Sequence, residues 1–255
     1  MSLVDYEVAG AVAVITLDRP PVNALNAELI ADVDAALAAA EEPAIRAVVM
    51  TGTKHFAAGA DITRFVEAFD SDDPEPQASG LGALVRRFVL LEKPTIAAVR
   101  GYALGGGLEL AMGADFRYLA EDAKVGQPEV QLGIIPGAGG TQRLSRLVGF
   151  QAAKEMNLTG RHITAAEAHA LGLADKVVQP DELIEVAAKD AATWAAGPTR
   201  AYWAVKKSMA DGYGHSMNAA LEIERDAFDE VFTTADAKIG ILAFVNKEKP
   251  DFSGI

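Results

Sequence analysis

The order of short apolar segments along the first half of the chain limits the fold more than any other feature. AVAVITLD (11–18), AVVMTG (47–52), TIAAVRG (95–101) and FRYLAE (116–121) are brief and bounded by Gly, Pro or acidic residues, which predicts strands. RPPVN (19–23) breaks the first of them, because proline cannot continue a ladder. Between Asn26 and Glu42, Leu29, Ile30, Val33 and Leu37 recur at helical spacing, with Asn26 as N-cap. LGALVRRFVLLE (81–92) is also helical and ends at Lys93-Pro94. A helix is expected over 61–69, and DSDDPEPQASG (70–80) reads as a loop. YALGGGLELAMGAD (102–115) reads as a turn and a helix that opens in the glycines. Strands alternating with helices predict a mainly parallel sheet with right-handed crossovers.

From Gly140 the pattern becomes helical. Thr164-Ala165-Ala166-Glu167 matches a capping box, Gly172 follows as a stop, and DKVV (175–178) is a short strand. Three or four helices are expected between Asp181 and Lys247, punctuated by Gly197-Pro198 and Asp211-Gly212. The coarse reading is an α/β core followed by a helical C-terminal part.

Composition narrows the function. Half of the 255 residues are hydrophobic, enough for a sizeable core. The net charge of −13, with no run of Lys and Arg, weighs against nucleic-acid binding. It leaves room for an anionic ligand, because backbone dipoles bind anions on acidic proteins too. The absence of cysteine excludes disulfides and thiolate chemistry. His55, His162, His169 and His215 lack the HExxH spacing, so no metal site is expected. No apolar run reaches the length of about 18 residues that a membrane helix needs, and MSLVDYEVAG has no basic, apolar leader. A cytoplasmic protein is the expectation.

Two glycine-rich turns, FAAGAD (56–61) and GYALGGGLEL (101–110), each join a strand to a helix. Each presents free N–H groups at a helix start, and two converging on one point make an oxyanion hole. Taken singly, either turn reads first as tight packing. GxGxxG fails at Leu110 and at Gln142, and neither a P-loop nor a GxSxG elbow is present. Glu109 lies among Leu108, Leu110, Ala111 and Met112, and Glu129 among Val125, Val130, Leu132 and Ile134. Carboxylates in such settings are candidates for paired acid–base work. A helix-dipole contact for Glu109 and a surface or salt-bridged Glu129 remain equal alternatives on this ground alone.

Together these segments resemble the enoyl-CoA hydratase/isomerase (crotonase) family. The resemblance rests on RPPVNAL (19–25), FAAGADI (56–62), KPTIAAVRGYALGGGLELAMGAD (93–115), VGQPEVQLGIIPGAGGTQRL (125–144), TGRHITAAEAHALGLADKVV (159–178) and FVNKEKPDF (244–252), nearly the whole chain. It implies an α/β fold, a crotonase-like spiral of ββα units with a helical C-terminal trimerisation region. The core would take residues 1–195 and the oligomerisation region 196–255, in a homotrimer or homohexamer. The resemblance also implies an enoyl-CoA hydratase, with oxyanion amides at Ala60 and Gly106 and catalytic carboxylates at Glu109 and Glu129. Val22, Ala24, Ala58, Asp61, Ile62 and Gly137 match its CoA-contacting segments. No cofactor is implied, since CoA belongs to the acyl-CoA substrate. Thr63 departs from the pattern, where close hydratases often carry lysine, and the variable 70–80 segment leaves the acyl group open. Rival readings are a double-bond isomerase, a thioester hydrolase and a non-catalytic thioester or RNA binder.

Overall fold

The computed structural model describes residues 2–63, 66 and 78–255. Most of the helix expected over 61–69 and most of the 70–80 loop lie outside the described residues, although Thr63 and Val66 are helical. Residues 78–80 belong to a helix rather than a loop.

The main sheet has six strands, in the order β1 (Val4–Ala9), β2 (Val12–Leu17), β3 (Ala47–Gly52), β4 (Thr95–Val99), β6 (Phe116–Ala120) and β9 (Lys176–Val178). β1 and β2 form an antiparallel hairpin turned at Gly10 (φ +62), and every later pairing is parallel. β3 and β4 are buried along their whole length, as apolar strands covered on both faces must be. β1, mostly exposed at the edge, carries too polar a pattern to have been read as a strand. A second sheet joins three short strands, β5 (Tyr102–Leu104), β7 (Lys124–Gly126) and β8 (His162–Thr164). The segment expected as one strand over 95–101 therefore stops at Val99, turns at Gly101 (φ +57) and enters β5.

α1 (Ala27–Ala39) begins where Asn26 Oδ1 accepts from Leu29 N–H at 2.9 Å. It buries Leu29, Val33 and Leu37 completely, each worth about 1.5–3 kcal/mol in transfer free energy. α1 packs on β1, β2 and α2 (Ala78–Leu90), and α2 packs on α3 (Gly106–Ala111). α4 (Gly140–Val148), α5 (Phe150–Thr159) and α6 (Ala165–Ala170) follow. Thr164 caps α6 through Glu167 N–H (3.2 Å), but Glu167 turns to Arg161 (2.7 Å), so only half of the capping box forms. α7 (Leu183–Ala195) crosses β2, β3, β4 and β6, with Leu183, Ala187 and Ala191 fully buried.

The C-terminal segment forms α8 (Thr199–Gly212), α9 (Met217–Phe232) and α10 (Ala235–Asn246). Its end is tied down on both sides. Buried Asp236 accepts from Ser253 N–H (2.7 Å) and Gly254 N–H (2.8 Å), and Arg46 donates to Phe252 O (2.9 Å) and Thr199 Oγ1 (3.1 Å). Among the described residues, no helix is long and apolar enough to cross a membrane.

Candidate active site

The two glycine turns meet beside α3. Ala57 N–H donates to Tyr102 O (3.0 Å) and Ala57 O accepts from Leu104 N–H (3.0 Å), so the 56–61 turn runs alongside β5. A Cβ on Gly107 would lie 2.0 Å from Ala57 O, so only glycine permits this approach. On its other side the turn pairs with Leu25: Leu25 N–H donates to Gly59 O (2.8 Å), and Asp61 N–H donates to Leu25 O (2.9 Å). In such a parallel bridge the intervening residue, Ala60, points its own N–H away from Leu25. Gly106, the first residue of α3, has an N–H that the helix itself leaves unused. Among the described residues neither amide meets an acceptor. The two lie close, since a Cβ on Gly106 would stand 3.8 Å from Ala60 N.

The turn is braced from the segment after β2. Arg19 donates to Ala24 O (2.8 Å) and to Asp61 Oδ2 (2.7 Å). Asn23, buried at φ +54, accepts from Arg19 N–H (2.7 Å) and donates to His55 O (2.7 Å) and Phe56 O (3.2 Å). Ala58 N–H donates to Val22 O at 3.0 Å. Val22, Ala24, Ala58, Ala60 and Asp61 thus share one seam, and exposed Ile62 follows it. The Thr63 hydroxyl (2.7 Å) and then Arg19 hold the Asp61 carboxyl below its ordinary pKa. Thr63 therefore serves the turn through Asp61.

Glu109, on α3, is 2% exposed. Its Oε1 accepts from Ala138 N–H and Gly140 N–H, both at 2.7 Å. Burial pushes its carboxyl above the usual range, while these two amides and the Arg143 charge pull it back. Glu129 lies in a short 3-10 turn, Pro128–Leu132. It packs on the residue preceding α3: a Cβ on Gly105 would stand 2.9 Å from Glu129 Oε1. Burial, with the neighbouring Glu109 charge, raises the Glu129 pKa to about 7, against the pull of its own backbone N–H. The structure thus brings both carboxylates to the glycine turn that also carries the Gly106 amide. Gly137 is exposed in the loop just before Ala138.

Gln127 was not singled out from the sequence. It is fully buried, and with its amide nitrogen facing the carboxylate it donates to Glu129 Oε1 and Oε2 at 3.0 and 3.1 Å. Its place between two apolar residues and Pro128 was the available signal. The amides of Ala138 and Gly140 were also missed, since backbone donors leave no mark on side-chain patterning.

Comparison with known proteins fits this geometry. The family pattern described as enoyl-CoA hydratase/isomerase matches residues 7–254. The chain belongs to that family. It is 42% identical over 247 residues to the short-chain-enoyl-CoA hydratase of Clostridium acetobutylicum, covering 95% of this chain and 94% of that one. The crotonyl-CoA hydratase of Syntrophomonas wolfei is 44% identical over 245 residues, covering 94% of each. Among solved structures, an enoyl-CoA hydratase from Bacillus anthracis superposes with a TM-score of 0.91 at 34% identity, over 99% of this chain and 100% of that one. The crotonase fold that the family resemblance implies is therefore the fold of this chain.

Proposed function

We propose that this member of the family is an enoyl-CoA hydratase, a hydro-lyase that adds water across the 2,3 double bond of a 2-enoyl-CoA thioester to give a 3-hydroxyacyl-CoA. The observation that carries the reading is the meeting of two carboxylates in unlike surroundings with two amides that have no acceptor among the described residues. The names of the Clostridium and Syntrophomonas relatives favour a short acyl chain.

In this reading the thioester oxygen accepts from Ala60 N–H and Gly106 N–H. Negative charge reaches that oxygen as water adds at C3, and one such donor is typically worth about 3 kcal/mol. The first turn of α3 adds its positive dipole end. Glu109, held by two amide donors, takes a proton from the attacking water. Glu129, with its pKa near 7, delivers a proton to C2. One C–O and one C–H bond form while the C2–C3 π bond and one O–H bond of water break. The pair then returns to its starting state by passing the gained proton from Glu109 to Glu129.

Val22, Ala24, Ala58, Asp61 and Ile62, with Gly137 across the site, would hold the CoA thioester. The reading requires no metal or redox group, because the CoA arrives with the substrate. We also propose a homotrimer or homohexamer in the cytoplasm, with residues 196–255 as the oligomerisation region beside a 1–195 core. Large exposed apolar residues on α8–α10, such as Met209, Phe228 and Phe244, support that assignment.

Purified protein given crotonyl-CoA tests the activity. Loss of enoyl-thioester absorbance, with 3-hydroxyacyl-CoA formed and no free thiol released, is expected. Release of CoA would indicate a hydrolase, and an unchanged enoyl thioester would remove the hydratase reading.

A further inference from the structure

We propose that Arg143 is a positioning residue for this reaction, its guanidinium holding the Glu109 carboxylate in the anionic form that accepts a proton. The proposal rests on the reading of Glu109 as the base.

Arg143 is the fourth residue of α4, and its backbone N–H donates to Gly139 O at 2.7 Å. A cation at this end opposes the helix dipole, which favours negative charge there. The side chain is also half-buried, and its Nε–H is hidden from solvent without an acceptor among the described residues. An unmet buried donor costs stability. Neither feature helps α4 alone.

Glu109 docks on the same helix end, and its negative charge offsets the misplaced cation. Its carboxylate is gripped by the N–H groups of Ala138 and Gly140, which flank Gly139. Arg143 lies along that central glycine: a Cβ on Gly139 would stand 3.0 Å from Arg143 Nε and 3.4 Å from its Cδ. The guanidinium therefore borders the three-residue segment that binds the carboxylate. Burial disfavours the charge on each partner, and each partner's charge acts to restore the other's.

The remaining charged groups around this site have other engagements. Arg146, one turn further along α4, donates to Gln142 O (2.8 Å) and stands over the Tyr213 ring, 5.1 Å from its centroid. On α2, Arg86 is exposed and Arg87 pairs with Asp34 (2.7 Å) and Glu41 (2.6 Å). Lys124 lies on β7, outside the charges that act on Glu109. Glu129 is a like charge, and it raises rather than lowers the cost of ionising the pair. Arg143 is the one cation acting on Glu109 among the described residues.

Carboxyl NMR of glutamate-labelled protein provides the test, with the Glu109 signal assigned by its loss in Glu109→Gln. Wild type, Arg143→Lys and Arg143→Gln are titrated, and Arg143→Met replaces the glutamine variant if that variant does not fold. The Glu109 midpoint should rise by at least about half a pH unit without the cation and stay near wild type with lysine. The acid limb of kcat/KM for crotonyl-CoA should move upward by a matching amount, because the base form is then populated only at higher pH. A folded charge-free variant whose Glu109 titrates as in wild type would overturn the proposal. The NMR midpoint does not depend on turnover, so it judges Arg143 even if crotonyl-CoA proves not to be hydrated.

Discussion

Glu109 and Glu129 are chemically identical side chains in different surroundings, and that difference divides the proposed labour. Burial is the largest influence on both carboxyls and raises both, but two amide donors and Arg143 pull Glu109 back toward its charged form, whereas the neighbouring Glu109 charge pushes Glu129 further toward its neutral form. A catalytic acid in such a place carries a cost in stability. The folded-state pKa of Glu129 is about 7, against an ordinary 4.5. The folded protein therefore binds this proton more tightly than the unfolded chain, and stability from this group is lost as pH rises from about 4.5 through 7. Glu129→Gln removes the ionisation. It should raise stability by about 1–3 kcal/mol above pH 7, after allowance for solvent screening, and change little below pH 4. Chemical denaturation of both proteins at several pH values checks this, and an equal gain at all pH values would mean that ionisation is not the source.

At the scale of elements, the sequence revealed what local chemistry determines. The buried strands β2, β3, β4 and β6, the Asn26 cap of α1 and the four helices from α7 to α10 were legible because periodicity, caps and breakers act within a few residues. β5, β7 and β8 were not, since three-residue strands exist only through partners far along the chain. α3 is also shorter than its apolar run suggests, ending at Ala111 with Met112 as its cap. Within the site, the glycine turns and both glutamates stood out as polar or flexible residues in apolar settings. Gln127 and Arg143 did not, because their significance lies in contacts with Glu129 and Gly139 that patterning does not encode. The bracing of the turn around Ala60 by Arg19 and Asn23 likewise joins residues 42 and 32 positions apart that sequence spacing alone does not connect.

For the whole molecule, the C-terminal helices pose the main question. Met209 (72% exposed), Phe228 (63%) and Phe244 (86%) leave apolar surface that a monomer would hold in water. Covering such surface favours closed, symmetric association. Light scattering should give three or six times 26.8 kDa, and Phe228→Asp with Phe244→Asp should shift the population toward smaller species. A monodisperse monomer at micromolar concentration would contradict this part of the account.

The central claim is that two carboxylates share one reaction beside the amides of Ala60 and Gly106. It is tested most directly by crotonyl-CoA turnover in Glu109→Gln and Glu129→Gln, each confirmed as folded by its thermal transition. The account predicts that each falls at least about a hundredfold below wild type, within the usual range for general acid–base catalysis. Turnover near the wild-type rate in either folded variant would contradict it.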